Sequence, residues 1–236
     1  MTIDGASRLA LREFEPRDRD ALVRMHRDPR VVELLVDDVA LGDARVANQF
    51  IERMHAYCRT NPGLGIWCAE RWACALSDEE LADPQVRAAL SDAALFAMAT
   101  PRPSFAGWFS LMRMADHPQE IEIGCRLVPQ MWGSGIVHDG GEHLLDKAFG
   151  ELALPRVWGV CHPRHRSVQQ VLKVLGFQDD GQRPCAGVEA RWFVIEAERW
   201  ADQRELPRRA RMRRSMRSGA AWHLHEASPR DRRGAC

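Results

Sequence analysis

Lysine is nearly missing from this chain: Lys147 and Lys173 are its two occurrences, and every other cationic side chain is an arginine. That bias reads first as genome composition and second as chemistry. Any CxxC pair is missing too. Cys58, Cys68, Cys74, Cys125, Cys161, Cys185 and Cys236 are scattered over 236 residues. Cysteines spread this way argue for buried thiols in a reducing compartment, not for a disulfide framework. No run approaches the roughly 18 apolar residues of a membrane span. The start, M-T-I-D-G-A-S-R-L-A-L-R, has no basic segment ahead of an apolar one, so no signal peptide is expected. These absences together predict a cytoplasmic protein.

What is present is ordinary in amount and uneven in placement. Apolar residues make up 45% and charged residues 28%, as in a soluble globular domain with a sizeable core. The formal net charge of zero hides an asymmetry. From Arg204 to Cys236 ten arginines face only Glu205, Glu226 and Asp231, so this end carries +7 and the rest −7. With neither periodicity nor many apolar residues, 204–236 is expected to be a disordered basic tail, offering a ribosome or RNA contact. Residues 1–203 form the folded domain.

Within that domain Arg8–Phe14 alternates with period two, as a half-buried strand does. Asp18 and Asp20 open a helix carrying Leu22 and Met25, which Asp28-Pro29 stops. A second helix is predicted from Asp43 to about Arg59, then a strand over Ile66–Trp72. Helical pattern fills an insertion at about 73–104. Strand candidates follow at 105–114, 120–128 and 156–162, with a long amphipathic helix at 136–153 between the last two. A shorter helix covers 166–175, Gly176 stops it, and Ala190–Ile195 is the last strand. This order predicts a mixed α/β (α+β) fold. A mostly antiparallel sheet is flanked by helices, with a crossover joining two parallel strands.

The transition from Glu122–Val128 into the long helix reads P-Q-M-W-G-S-G-I-V at 129–137. A helix start exposes unpaired amides and the positive end of its dipole, and glycines let a ligand approach the backbone. That combination suits an anion, most often phosphate. A strand-to-helix turn that merely needs positive φ explains the same glycines. Gly140 and Gly141, inside the helix, point to close packing against the sheet or a cofactor.

The residues around the turn resemble the GNAT N-acetyltransferases, and among them the ribosomal-protein N-terminal acetyltransferase group. The resemblance rests on E-I-G-C-R-L-V-P-Q-M-W-G-S-G-I-V, H-L-L-D-K-A-F, R-V-W-G-V-C-H-P and V-L-K-V-L-G-F. R-L-A-L-R-E-F-E-P-R-D-R-D-A-L and D-P-R-V-V near the start add to it. It implies a splayed strand pair (120–128 and 156–162) that holds the pantetheine arm of acetyl-CoA, with the pyrophosphate on the loop opening the long helix. Read with Trp132 as the first loop position, the implied cofactor residues are Leu127, Val128, Trp132, Gly133, Ser134, Gly135, Ile136, Val137, His138 and His165.

Departures from the family pattern are visible. Val137 stands for a Gly or Ala, His138 for a Thr, His165 for an Asn, Val168 for a Ser, and Leu172 for the tyrosine many members use as an acid. Acyl transfer to a primary amine also needs a base, and Glu122, beside the implied cofactor arm, is the candidate, with Glu120 and His162 next. A backbone N–H near Leu127 would donate to the developing oxyanion. His162 and His165 lack further ligands at metal spacing, so no metal is expected. Cys125 and Cys161 read as core thiols. The protein is expected to act as a monomer or homodimer. The competing reading is a catalytically impaired acyl-CoA-binding or RNA-associated module.

Overall fold

The computed structural model describes residues 9–36, 41–73, 78–100, 102–185 and 187–223. Cys74, Cys236 and tail residues 224–236 lie outside them. Seven strands form one sheet in the order β1-β2-β3-β4-β5-β7-β6. They are β1 (Leu9–Arg12), β2 (Gly65–Ala73), β3 (Arg102–Arg113), β4 (Ile121–Leu127), β5 (Arg156–Cys161), β6 (Gln178–Cys185) and β7 (Val188–Glu196). Every neighbouring pair is antiparallel except β4 and β5. The crossover between those two is the helix α7 (Ile136–Asp146), which ends in a wider turn over Lys147–Glu151.

Alternation within the strands divides the core between two faces. Phe109, Leu111, Ile121, Ile123 and Val157 pack with α7 and with α8 (Arg166–Leu175). On the other face Ile66, Cys68 and Trp108 meet α1 (Arg19–Arg27) and α3 (Ala44–Thr60). The short α2 (Pro29–Val32) follows α1, started by Asp28, whose side chain accepts from Arg30 N at 3.0 Å. Asp43 caps α3 in the same way. Gly140 and Gly141 let α7 press on its neighbours. A side chain at Gly140 would enter the ring of Phe109 on β3, and one at Gly141 would reach Leu175 on α8 at 2.7 Å.

The insertion forms α4 (Asp78–Ala82), α5 (Pro84–Ala89) and α6 (Asp92–Ala99), which lie on the surface with Phe96 exposed. Among the described residues no helix is long and apolar enough to cross a membrane.

The short helices over Pro29–Val32 and Ala197–Arg204 were not expected, and two further elements differ from expectation. β6 was not predicted: Q-D-D-G-Q-R-P-C has no apolar alternation, and it is an edge strand broken by an irregularity at Asp179/Gln182. The tail expected to be disordered is helical over its first part. After α9 (Ala197–Arg204), α10 (Arg208–His223) packs on α8. Arg211 is 4% exposed and Ser215 5%, and Gln170 donates to the Ser215 hydroxyl at 2.9 Å. Ion pairs hold this helix where apolar periodicity is missing, which is why composition misread it.

Candidate active site

β4 and β5 meet at one register pair, Glu122 with Trp158. Past it the strands part, and a cavity of about 170 Å³ opens between them. Val137, Val168 and Leu172 line it on the α7/α8 face. Leu34, Leu35 and Val36, after α2, line it on the other. The lining of the gap therefore comes from both faces of the sheet.

Hydrogen bonding sets what β4 presents to that gap. Met114 N donates to Glu120 O and Val128 N to Ala106 O, each at 3.0 Å, so the even-numbered residues of β4 bond β3. The amides of Cys125 and Leu127 therefore face the splay. The Leu127 carbonyl accepts from the Trp132 indole at 3.0 Å, which ties the loop to the strand end.

The expected base candidates separate here. Glu122 is half-buried and lines the cavity. Glu120 is engaged by Arg156 and by the Trp158 indole at 2.8 Å, and the Arg156 guanidinium holds its carboxyl below the usual range. His162 accepts from Arg164 N at 3.1 Å through Nδ1 and does not line the cavity. Burial pushes the Cys125 and Cys161 thiols up to about 12, so neither is a thiolate near neutral pH.

Val137, on the first turn of α7, brings the helix start to the wall of the gap. Gly133 (φ 73°) and Gly135 (φ 84°) adopt the left-handed conformation, and Gly135 caps α7. A side chain at Gly133 would stand in open space with no atom within 4 Å. The first bonds of the helix run from His138 and Asp139 to Gly135 O, at 2.9 and 3.3 Å, so the amides of Ile136 and Val137 precede the ladder. Of the expected loop residues, Ile136 is buried, while Trp132 is 49% exposed with Arg30 over its ring. Ser134 turns its hydroxyl back onto Met131 O at 2.7 Å, away from any outer ligand. Among the described residues the buried Nε2 of His138 has no partner, and burial lowers that imidazole's pKa. Val128 is half-buried beside the turn. His165 stands at the start of α8, with Nδ1 3.1 Å from the Ser167 hydroxyl, and lines the cavity.

Residues 8–178 match the acetyltransferase (GNAT) domain model. This chain belongs to the GNAT acetyltransferase family. Solved structures share the fold. RimJ of Mycobacterium smegmatis, in complex with CoA-disulfide, is 16% identical with a TM-score of 0.60, over 90% of this chain and 91% of that one. A GNAT-family acetyltransferase from Bacillus anthracis is 17% identical with a TM-score of 0.55, over 81% and 96%. Spermidine N-acetyltransferase from Vibrio cholerae, in complex with CoA and spermine, is 12% identical with a TM-score of 0.56, over 82% and 98%. In this GNAT chain, sequence reasoning missed Leu34–Val36 and Arg208. The first lie in a loop with no pattern of its own. The second sits beside Gly135, beyond the matched residues.

Proposed function

We propose that this chain is an acetyl-CoA-dependent N-acetyltransferase that acetylates a primary amine by direct attack on the thioester. The observation that carries the reading is the splayed gap, lined from both faces of the sheet, with Val137 of the first turn of α7 in its wall. Open space over Gly133, the left-handed glycines at 133 and 135, and the amides of Ile136 and Val137 ahead of the helix ladder fit a pyrophosphate. Acetyl-CoA would supply the activated acyl group.

The chain's own residues do the rest. Glu122 takes the proton of the incoming ammonium, directly or through water, so that nitrogen's lone pair becomes available. The Cys125 and Leu127 amides donate to the carbonyl oxygen as it gains charge. A new C–N bond forms as the C–S bond breaks. With Leu172 where an acidic tyrosine stands in many relatives, the departing sulfur takes its proton from solvent or from the amine.

The test is acetyl-CoA titration by calorimetry, paired with thiol release over a panel of peptide N-termini, polyamines and small amines. Micromolar binding with turnover on one amine class supports the reading. Absence of cofactor binding overturns it, and binding without turnover on any amine leaves an acyl-CoA-binding module instead.

A further inference from the structure

The family match ends at residue 178, yet a residue thirty positions later stands over the cradle at the start of α7. Arg208, on the first turn of α10, lays its guanidinium along the first two turns of α7. Its Nη2 donates to Asp139 at 2.6 Å and its Nε to Glu142 at 3.1 Å. The planar fork then has one nitrogen, Nη1, with no hydrogen bond to either carboxylate. That nitrogen is the one facing the cradle: a Cβ on Gly135 would lie 3.9 Å from it. Arg211, 4% exposed, donates to the same Glu142 at 2.6 Å, and among the described residues its buried Nε and Nη1 have no partner.

The charges explain why this arrangement matters. Asp139 and Glu142 suit the dipole of α7 but would repel an anion at its start. Arg208 and Arg211 neutralise both carboxylates. What then faces the open cradle is the positive helix end plus the guanidinium edge that neither carboxylate takes. Neither arginine belongs to the matched domain, so the cationic half of the site comes from a separate helix.

We propose that Arg208 is a phosphate-binding residue of the acetyl-CoA site, delivered by α10 and held in position by Asp139 and Glu142. The proposal rests on the acetyl-CoA reading above. The experiment measures affinity for CoA and for S-acetylpantetheine, which carries the thioester arm without nucleotide or phosphates. Both ligands are titrated into the wild-type chain and into Arg208→Gln, Arg208→Lys and Arg209→Gln, with thermal melts as a check on folding. Arg209 is exposed on the same turn and serves as the charge control.

Losing a charged hydrogen bond to phosphate should weaken CoA binding by Arg208→Gln roughly 10- to 100-fold relative to S-acetylpantetheine. Arg208→Lys should recover part of that loss, because an ammonium keeps the charge without the fork. Arg209→Gln should bind CoA as the wild type does. Equal CoA affinity in a folded Arg208→Gln overturns the proposal, and so does an equal loss for both ligands, which marks a structural role. If the wild type binds no CoA, the acetyl-CoA reading itself fails and the proposal falls with it.

Discussion

Glu122 and Trp158 face each other at the last rung where β4 and β5 meet, and the cavity begins beyond them. A carboxylate that lines the cavity there is our base candidate, whereas Glu120 does not line it. Glu122→Gln keeps shape and removes basicity, so turnover should fall roughly 10²-fold or more while acetyl-CoA affinity stays level. The deficit should shrink as pH rises and more of the amine is already deprotonated. Wild-type turnover across that range, followed by thiol release, removes Glu122 from the mechanism.

Gly135→Ala places a side chain at a φ of 84° and beside Arg208. The backbone strain alone should cost about 1 kcal/mol. Cofactor affinity should drop well beyond what that strain explains. Calorimetric titration beside a thermal melt separates the two, and equal affinity in the folded variant counts against the phosphate cradle.

Removing residues 207–236 should destabilise the domain, contrary to what composition suggests. Glu142 and Asp139 lose their partners, and the face of α8 that α10 covers is exposed. A loss on the order of 1–3 kcal/mol is expected. An unchanged melting temperature shows that α10 contributes nothing to the fold.

Gly140→Ala sets two effects against each other. Helix propensity favours alanine by about 1 kcal/mol. The added methyl would enter the Phe109 ring, and overpacking of this kind costs about 1–3 kcal/mol. Because Phe109 is 1% exposed and cannot yield outward, the net effect should be destabilising in chemical denaturation. A stabilised variant shows that β3 and α7 can separate freely.

Acid should weaken the fold through its buried histidines. Burial lowers the pKa values of His138, His143 and His165. At His138, Arg208 and Arg211 reinforce the effect while Glu142 and Asp139 oppose it. Between those lowered values and the unfolded value of about 6.5, the unfolded chain binds more protons than the folded one. Stability is therefore full above that window and falls as pH drops through it. Melting temperatures at pH 7.5 and 5.5 should differ in that sense, and His138→Gln should reduce the difference. A flat profile contradicts it.

The strands β1 to β5 and β7 and the helices α1, α3, α7 and α8 were legible in the sequence: period two marked β1, apolar runs between turn residues marked the other strands, and a 3.6 period marked the helices. Pro129, Gly133 and Gly135 marked the helix start. β6 was not legible: its residues are polar, it lies at the sheet edge, and only pairing with β7 makes it a strand. Helix α10 was hidden for a different reason. Its burial comes from arginine stems and ion pairs to α7, partners more than sixty residues away that no local pattern announces.

Local order is therefore what the sequence by itself determined, since periodicity, capping residues and glycines act within a few positions. It placed the parallel crossover, the glycine turn and Glu122 on the strand before it. Only the tertiary structure decided that β4 and β5 pair at one rung, which opens the gap. It also paired Glu120 with Arg156, set Glu122 in the cavity lining, and brought Arg208 to Gly135. Each of these depends on distances between elements far apart in the chain. Packing sets such distances, and composition carries no record of them.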